Sequence, residues 1–276
     1  PEYLDGQFAF GIWDNKKERL FLARDRFGEK PLYIARDGDS LLFASEIKAL
    51  LATGRVSKEI DPVSLDNYLA LMYVPPWRSI YKNIKPLPPA HCAVWEKGAY
   101  IEKRYWKLIR DPVSLPFEDA AAKVREMLTN SVRSRMVADV EVGAFLSGGV
   151  DSGLVVRLAQ RESKKKLKTF SAGFEGFINE LPYAEDLAKL AGTEHTGAQI
   201  KDDLLKTFLA VSGYFDEPFG DSSNIPTSLI AALARKKVKV ALSGDGGDEL
   251  FWGYGQYTRY NHLPKMQTLL NLVSGS

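Results

Sequence analysis

Apolar and polar positions alternate over short distances in the first third of the chain and recur at helical spacing after it. From Gln7 to about Leu108 the apolar runs are brief, rich in aromatics and cut by polar turns, which is the pattern of strands joined as hairpins. Runs at 8–14 and 19–25 flank Asn15-Lys16-Lys17, runs at 31–36 and 41–45 flank Asp37-Gly38-Asp39, and runs at 90–96 and 100–108 flank Lys97-Gly98. Three hairpins are predicted. Short helices are predicted near 46–51 and 64–72, the second opened by Asp61-Pro62 and Ser64.

Beyond Arg110-Asp111-Pro112 the texture changes. Ala121, Val124, Met127, Leu128 and Val132 recur at helical spacing within 117–135. Strands predicted at 140–146, 168–173, 195–200 and 238–242 then alternate with helices at 153–161, 182–191, 202–212 and 226–236. Such alternation implies βαβ units and a mostly parallel, doubly wound sheet. The expected division is an antiparallel α+β domain over 1–112 and an α/β domain over 113–276.

Composition narrows the class. With 276 residues, 45% hydrophobic and 26% charged, the chain has the size and balance of a soluble, two-domain protein. A net charge of +2 gives no reason to expect nucleic acid or a membrane surface as partner, and the basic run at 164–168 reads as a solvated helix end. No apolar stretch is long enough to span a bilayer, and the single cysteine, Cys92, offers neither a disulfide nor a metal partner. A cytoplasmic location is expected. The chain lacks an initiator Met and stops at Ser276 after the apparent start of a helix, so truncation at both ends is expected.

Two loops carry chemistry. The first, Phe145-Leu146-Ser147-Gly148-Gly149-Val150-Asp151-Ser152, lies between an apolar strand and an apolar helix. Adjacent glycines let backbone approach a phosphate, Ser147 and Ser152 add hydroxyl donors, and the helix start adds unpaired N–H groups. Without the Gly-Lys-Ser/Thr ending of a Walker loop, Asp151 is expected to meet the phosphates through Mg²⁺. The second, Ser243-Gly244-Asp245-Gly246-Gly247-Asp248-Glu249, follows another strand. Its carboxylates need a cation or full solvation. Ligands in open α/β sheets bind at the carboxyl ends of strands, so both loops are expected to face one crevice. The plain alternatives are a serine-capped glycine turn and an exposed acidic turn.

The octet Phe145–Ser152 resembles the pyrophosphate loop of the ATP-pyrophosphatase superfamily. With 169–174, Asp216-Glu217-Pro218-Phe219, 242–251 and Gly253-Tyr254, it resembles the synthetase domain of glutamine-hydrolysing asparagine synthetases. Upstream, the stretches at 4–10, 23–33 and 43–50 resemble the later part of that family's class II amidotransferase domain.

The resemblance implies an Ntn-type amidotransferase end followed by a sheet of the adenine-nucleotide α-hydrolase (PP-loop) type. It implies the cofactors ATP and Mg²⁺, with aspartate converted to β-aspartyl-AMP and ammonia from glutamine displacing AMP. Leu146 and Ala172 would contact adenosine through backbone groups, and Ser147, Gly148, Gly149 and Ser152 would cradle pyrophosphate. Asp151 and Asp248 would hold Mg²⁺, Ser243 and Gly244 would continue the pocket, and Asp245 would stand beside the adenylate. Asp151, Asp245 and Asp248 are therefore the catalytic candidates.

Two positions depart from the family pattern: Asp245 stands where some members have Glu, and Trp252 where glycine is expected. Pro1 is not the N-terminal cysteine that a class II glutaminase uses, so this piece alone is expected not to hydrolyse glutamine, and Cys92 is read as packed in a sheet. Arg24 and Asp25 are expected to pair structurally, and His91, His195 and His262 to be surface or satisfied histidines. Relatives acting on other carboxylates in capsule, glycan or antibiotic pathways, and a non-catalytic nucleotide-binding module, are the alternative readings. A homodimer is left open.

Overall fold

The computed structural model describes residues 1–174, 179–200 and 204–260. In chain order its elements begin β1 (Ala9–Asp14), β2 (Arg19–Arg24), β3 (Tyr33–Asp37), β4 (Ser40–Ala44), α1 (Ile47–Ala52), α2 (Pro62–Leu71), β5 (Ile84–Pro86), β6 (His91–Glu96) and β7 (Ala99–Arg104). They continue α3 (Phe117–Arg135), β8 (Val142–Phe145), α4 (Val150–Glu162), β9 (Lys168–Phe174), α5 (Leu181–Ala191), β10 (Glu194–Ile200), α6 (Leu204–Ser212), α7 (Asn224–Arg235), β11 (Val240–Leu242), α8 (Gly247–Phe251) and α9 (Gly255–Tyr260). The chain divides into two units, Pro1–Val113 with Leu205–Ser223, and Ser114–Leu204 with Asn224–Ser276. In place of a single cut near residue 112, the first unit takes in a later segment.

All three predicted hairpins form in the first unit, with closing pairs Asp14↔Arg19, Asp37↔Ser40 and Glu96↔Ala99. In the last, Lys97 and Gly98 both have positive φ, 51° and 79°, the conformation of a two-residue turn whose twist matches its strands. One antiparallel sheet runs β1-β2-β6-β7 and the other β4-β3-β5. With only three residues, β5 is too short to show a period in the sequence. Successive strand side chains face opposite ways, so β3 serves two cores. Ile34 joins Leu32 and Leu87 against Leu20, Leu22 and Ala93, while Ala35 packs with Ile47 and Leu50 of α1.

Arg24 and Asp25 are buried, yet they bond backbone rather than each other. The Arg24 guanidinium donates to the carbonyls of Gly28, Lys30 and Leu87 at 2.6, 2.8 and 2.8 Å. Asp25 accepts from the amides of Phe8, Phe27, Glu29 and Lys30 at 3.0–3.3 Å. Burial pushes the Asp25 carboxyl up, but these amides outweigh it and hold it below its usual value. The segment Leu205–Ser223 is anchored in the same unit: the Ile80 amide donates to Glu217 Oε1 at 2.6 Å, Lys48 Nζ lies 3.2 Å from Asp216, and Phe215 stacks on Phe219 at 4.9 Å.

In the second unit the strand order is β10-β9-β8-β11, every pair parallel. Ala144 and the following Leu146 pack with Val132 of α3, Val156 and Ala159 of α4, and Ala184 and Ala188 of α5. Phe145 points the other way, towards Phe170 and the α7 residues Ile230, Leu233 and Ala234. Helices cover both faces, the doubly wound arrangement that the alternation predicts. The strand predicted at 238–242 shortens because the Val238 amide bonds the Ala234 carbonyl at 2.9 Å and so closes α7. The short helices α8 and α9 occupy stretches whose glycines predict loop. The helix start expected near the end of the chain lies outside the described residues. No described helix is long and apolar enough to cross a membrane.

Asp25→Ala should unpair four amides and lower the stability of the first unit by about 3 kcal/mol, read from chemical denaturation. The carboxyl is depressed in the fold, so its contribution is complete above the unfolded carboxyl pKa of about 4 and is lost as pH falls through the lower folded value. The variant should therefore lose less stability than the parent between pH 5 and pH 2 (roughly the range in which such a carboxylate titrates).

Candidate active site

In an open parallel sheet, ligand space lies where neighbouring strands send the chain to opposite sides. β8 and β11 are such neighbours, since from β8 the chain goes to β9 and β10 on one side while β11 lies on the other. The loops leaving their carboxyl ends are the two glycine-rich loops.

The first loop is tied by its own serines. Ser152 Oγ accepts from the Ser147 amide at 3.1 Å and lies 2.8 Å from Ser147 Oγ, which accepts from the Gly149 amide at 3.1 Å. Gly149 caps α4, whose first-turn amides lack intrahelical acceptors and carry partial positive charge. The Leu146 amide donates to the Phe170 carbonyl at 2.8 Å, which carries the β9 pairing one residue past the end of β8. β9 continues past the end of β8, and Ala172 lies on that extension.

The second loop comes against the first through absent side chains. A Cβ on Gly244 would stand 2.8 Å from the Ser152 nitrogen and 3.1 Å from its Cα, and one on Gly247 would stand 2.5 Å from the Asp151 carboxylate. A Cβ on Gly253 would collide with the Asp248 carboxylate. Gly246, with φ 91°, makes the left-handed turn into α8.

Together the loops bound a cavity of about 680 Å³. Leu146, Ser147, Gly149, Asp151, Ser152, Ala172, Ser243, Gly244, Asp245 and Asp248 all line it. Gly148 is not part of that lining: a Cβ there would meet Tyr183 Cβ of α5 at 2.8 Å, so a glycine at this position makes room for the helix. Ser243 Oγ donates to Asp245 Oδ2 at 2.9 Å and fixes that carboxylate. The wall also includes Ser171, Glu180 and Thr227, which sequence reasoning did not assign. Ser171 sits inside a matched motif, whereas Glu180 and Thr227 come from the starts of α5 and α7, which carry no local mark.

Several other candidates fall away from the cavity. The Tyr254 hydroxyl donates to Glu249 Oε1 at 2.9 Å, which pushes the phenol up to about 12, and it is not part of the lining. His91 Nδ1 lies 2.8 Å from the Pro89 carbonyl, Cys92 lies on β6 opposite Ala23 and Lys103, and His262 lies outside the described residues. Among the described residues no group of three or more His, Cys, Asp or Glu could hold a metal unaided.

The family model described as "Asparagine synthase" matches residues 123–273, and the "Glutamine amidotransferase domain" model matches 2–106. The chain belongs to the asparagine synthase family. It is 38% identical to a putative glutamine-hydrolysing asparagine synthetase of Methanocaldococcus jannaschii, covering 98% of this chain and 54% of that protein. It is also 38% identical to a glutamine-hydrolysing asparagine synthetase of Bacillus subtilis, covering 92% and 40% respectively. The chain spans about half the length of the curated relatives it matches. Among solved structures, the NH3-dependent NAD synthetase of Campylobacter jejuni superposes over 49% of this chain and 60% of its own, at 19% identity and a TM-score of 0.35. At that score the superposition adds nothing to the strand order above.

Within this asparagine synthase family chain the donors suit the magnesium ion that the family resemblance implies. Asp151 and Asp248 offer hard oxygen ligands at one cavity, and two carboxylates completed by phosphate oxygens and water are the set Mg²⁺ favours. Trp252 adopts φ 60° and ψ 38° at the end of α8, a left-handed position that glycine takes freely and that costs a bulky residue about 1 kcal/mol or more. Its ring lies 5.2 Å from that of Tyr257.

Gly244→Ala would press on backbone that cannot swing aside, so a loss of roughly 1–3 kcal/mol is expected in denaturant melts. Gly255→Ala, with nothing within 4 Å of the added carbon, should change stability by less than about 1 kcal/mol.

Proposed function

We propose that this chain carries the carboxylate-activating site of a glutamine-dependent amide ligase, in which Mg-ATP adenylates aspartate and ammonia displaces AMP from β-aspartyl-AMP to give asparagine. The observation that carries the proposal is the meeting of the two glycine loops at the switch between β8 and β11, which sets serine hydroxyls, helix-start amides and three aspartates around one cavity. ATP fits its parts. The Leu146 carbonyl and the Ala172 backbone would meet the base, and Ser147, Gly149 and the first turn of α4 would receive the departing pyrophosphate. Asp151 and Asp248 would hold Mg²⁺, which neutralises charge on the phosphate oxygens when bound.

The aspartate carboxylate attacks the α-phosphorus while the bond to the β-phosphate oxygen breaks, so pyrophosphate leaves with both electrons of that bond. Ammonia then attacks the acyl carbon, loses a proton, and AMP departs. Each step is helped mainly by charge neutralisation and by positioning of the reacting groups, the tasks to which these loops are suited. Asp245, steadied by Ser243, would orient the amine or the acyl phosphate. In the whole protein, glutamine hydrolysis by an amidotransferase domain would supply the ammonia, and this part of the reading rests on the match over 2–106.

The full reading frame that encodes this chain should release AMP and pyrophosphate from Mg-ATP only when aspartate is present, with ammonia supplied directly and asparagine formed in equal amount. AMP release with a different carboxylate alone would move the acceptor to a relative's substrate, and no AMP under any condition would leave a nucleotide-binding module. Asp151→Asn should lower AMP formation by about 10² or more. Near-normal turnover in that variant would refute the metal role.

A further inference from the structure

β9 and β10 pair in parallel, and His195 of β10 spans two hydroxyls of β9. Its Nδ1 lies 3.0 Å from Thr169 Oγ1 and its Nε2 2.9 Å from Ser171 Oγ. Thr169 Oγ1 lies 2.9 Å from Thr193 Oγ1, and the Thr193 hydroxyl donates to the Ala188 carbonyl at 3.4 Å. Thr169 and Ser171 are 0% and 4% exposed, so the Thr169 hydroxyl has no water to turn to. Burial lowers the pKa of His195, against an opposing pull from Glu185 of α5, and the imidazole is neutral near pH 7.

The protons of this chain have one arrangement that satisfies every contact. Three hydroxyls and a neutral imidazole supply one proton each, and there are four contacts. The Ala188 carbonyl, which also accepts from the Gly192 and Thr193 amides at 2.9 and 3.1 Å, can only accept, so in the arrangement that makes all four contacts it takes the proton of the Thr193 hydroxyl. Thr193 Oγ1 must then accept from Thr169, and Thr169 from His195 Nδ1–H. That leaves Nε2 bare, and Ser171 gives it its proton. Ser171 lines the cavity, and in this arrangement its hydroxyl offers lone pairs alone to anything bound there.

We propose that His195 is a positioning residue that fixes Ser171 Oγ as a hydrogen-bond acceptor in the cavity wall, so that the site selects a ligand bearing an N–H or O–H donor at that point. In its choice of ligand the proposal rests on the nucleotide reading above. An adenosine nucleotide offers three such donors, the 6-amino group and the 2′ and 3′ hydroxyls.

Nitrogen-15 NMR of the histidine-labelled protein without ligand, with His195 assigned by the signal missing in His195→Phe, should show the Nδ1–H tautomer. This is the form that free histidine disfavours, so the result discriminates. An Nε2–H or doubly protonated ring at pH 7 overturns the proposal. Binding constants are then measured for Mg-ATP and for its 6-deamino, 2′-deoxy and 3′-deoxy analogues, on the parent and on Ser171→Ala. One analogue should bind the parent about five- to tenfold more weakly than ATP, and the gap should vanish in the variant. Equal affinities for all four on the parent overturn the selection of a donor. The tautomer is read on the unmodified protein, so the proposal stays falsifiable if a variant fails to fold. Failure of ATP and every analogue to bind would overturn it together with the nucleotide reading, whereas the wrong tautomer with normal ATP binding would overturn it alone.

Discussion

The second unit depends on how closely two stretches of backbone approach. Adjacent parallel strands lie about 4.8 Å apart, and the loops that leave β8 and β11 can meet only where neither carries a side chain in the gap. Gly244 stands against the Ser152 backbone and Gly247 against the Asp151 carboxylate. Any larger residue at Gly244 would separate the loops and open the crevice. The acidic character of the second loop is then a consequence of position, because its carboxylates are brought to the start of α4, where backbone dipoles favour negative charge and where a cation can bridge what remains.

The same loops are braced before any ligand arrives. Ser147 and Ser152 accept from amides of their own turn, and Ser243 holds Asp245. Side chains fixed in this way lose little freedom on binding, which keeps more of the interaction energy for the ligand. The hydrogen-bond chain through His195 extends the bracing to a third strand.

Sequence pattern reveals what is local and periodic. The hairpins, the Lys97-Gly98 turn, the alternation of strands with helices and both glycine loops are legible because their signals lie within a few residues of one another. The cavity lining is legible for the same reason, since fourteen of its positions fall in short motifs. What stays hidden depends on distant partners. The packing of Tyr183 of α5 against Gly148 cannot be read from the loop's own letters, and Glu180 reaches the cavity only because α5 begins there. Arg24 and Asp25 read as an ion pair because adjacent opposite charges do, while their actual partners are carbonyls and amides gathered from elsewhere in the unit. His195 shows no metal-ligand spacing, and its role follows from the parallel register of β9 and β10, which no local window contains.

The assignment of Leu205–Ser223 to the first unit bears on how the protein is made. A ribosome delivers residues in order, and the amino-terminal unit would ordinarily be the first to complete itself. Here the Ile80 amide and the Lys48 ammonium must wait for Glu217 and Asp216, which emerge only after most of the second sheet has been synthesised. The chain crosses between units three times, so neither can be excised as one continuous piece. A nascent chain therefore holds an unfinished amino-terminal unit while three strands of the parallel sheet are already available to pair, and the two units have to mature together.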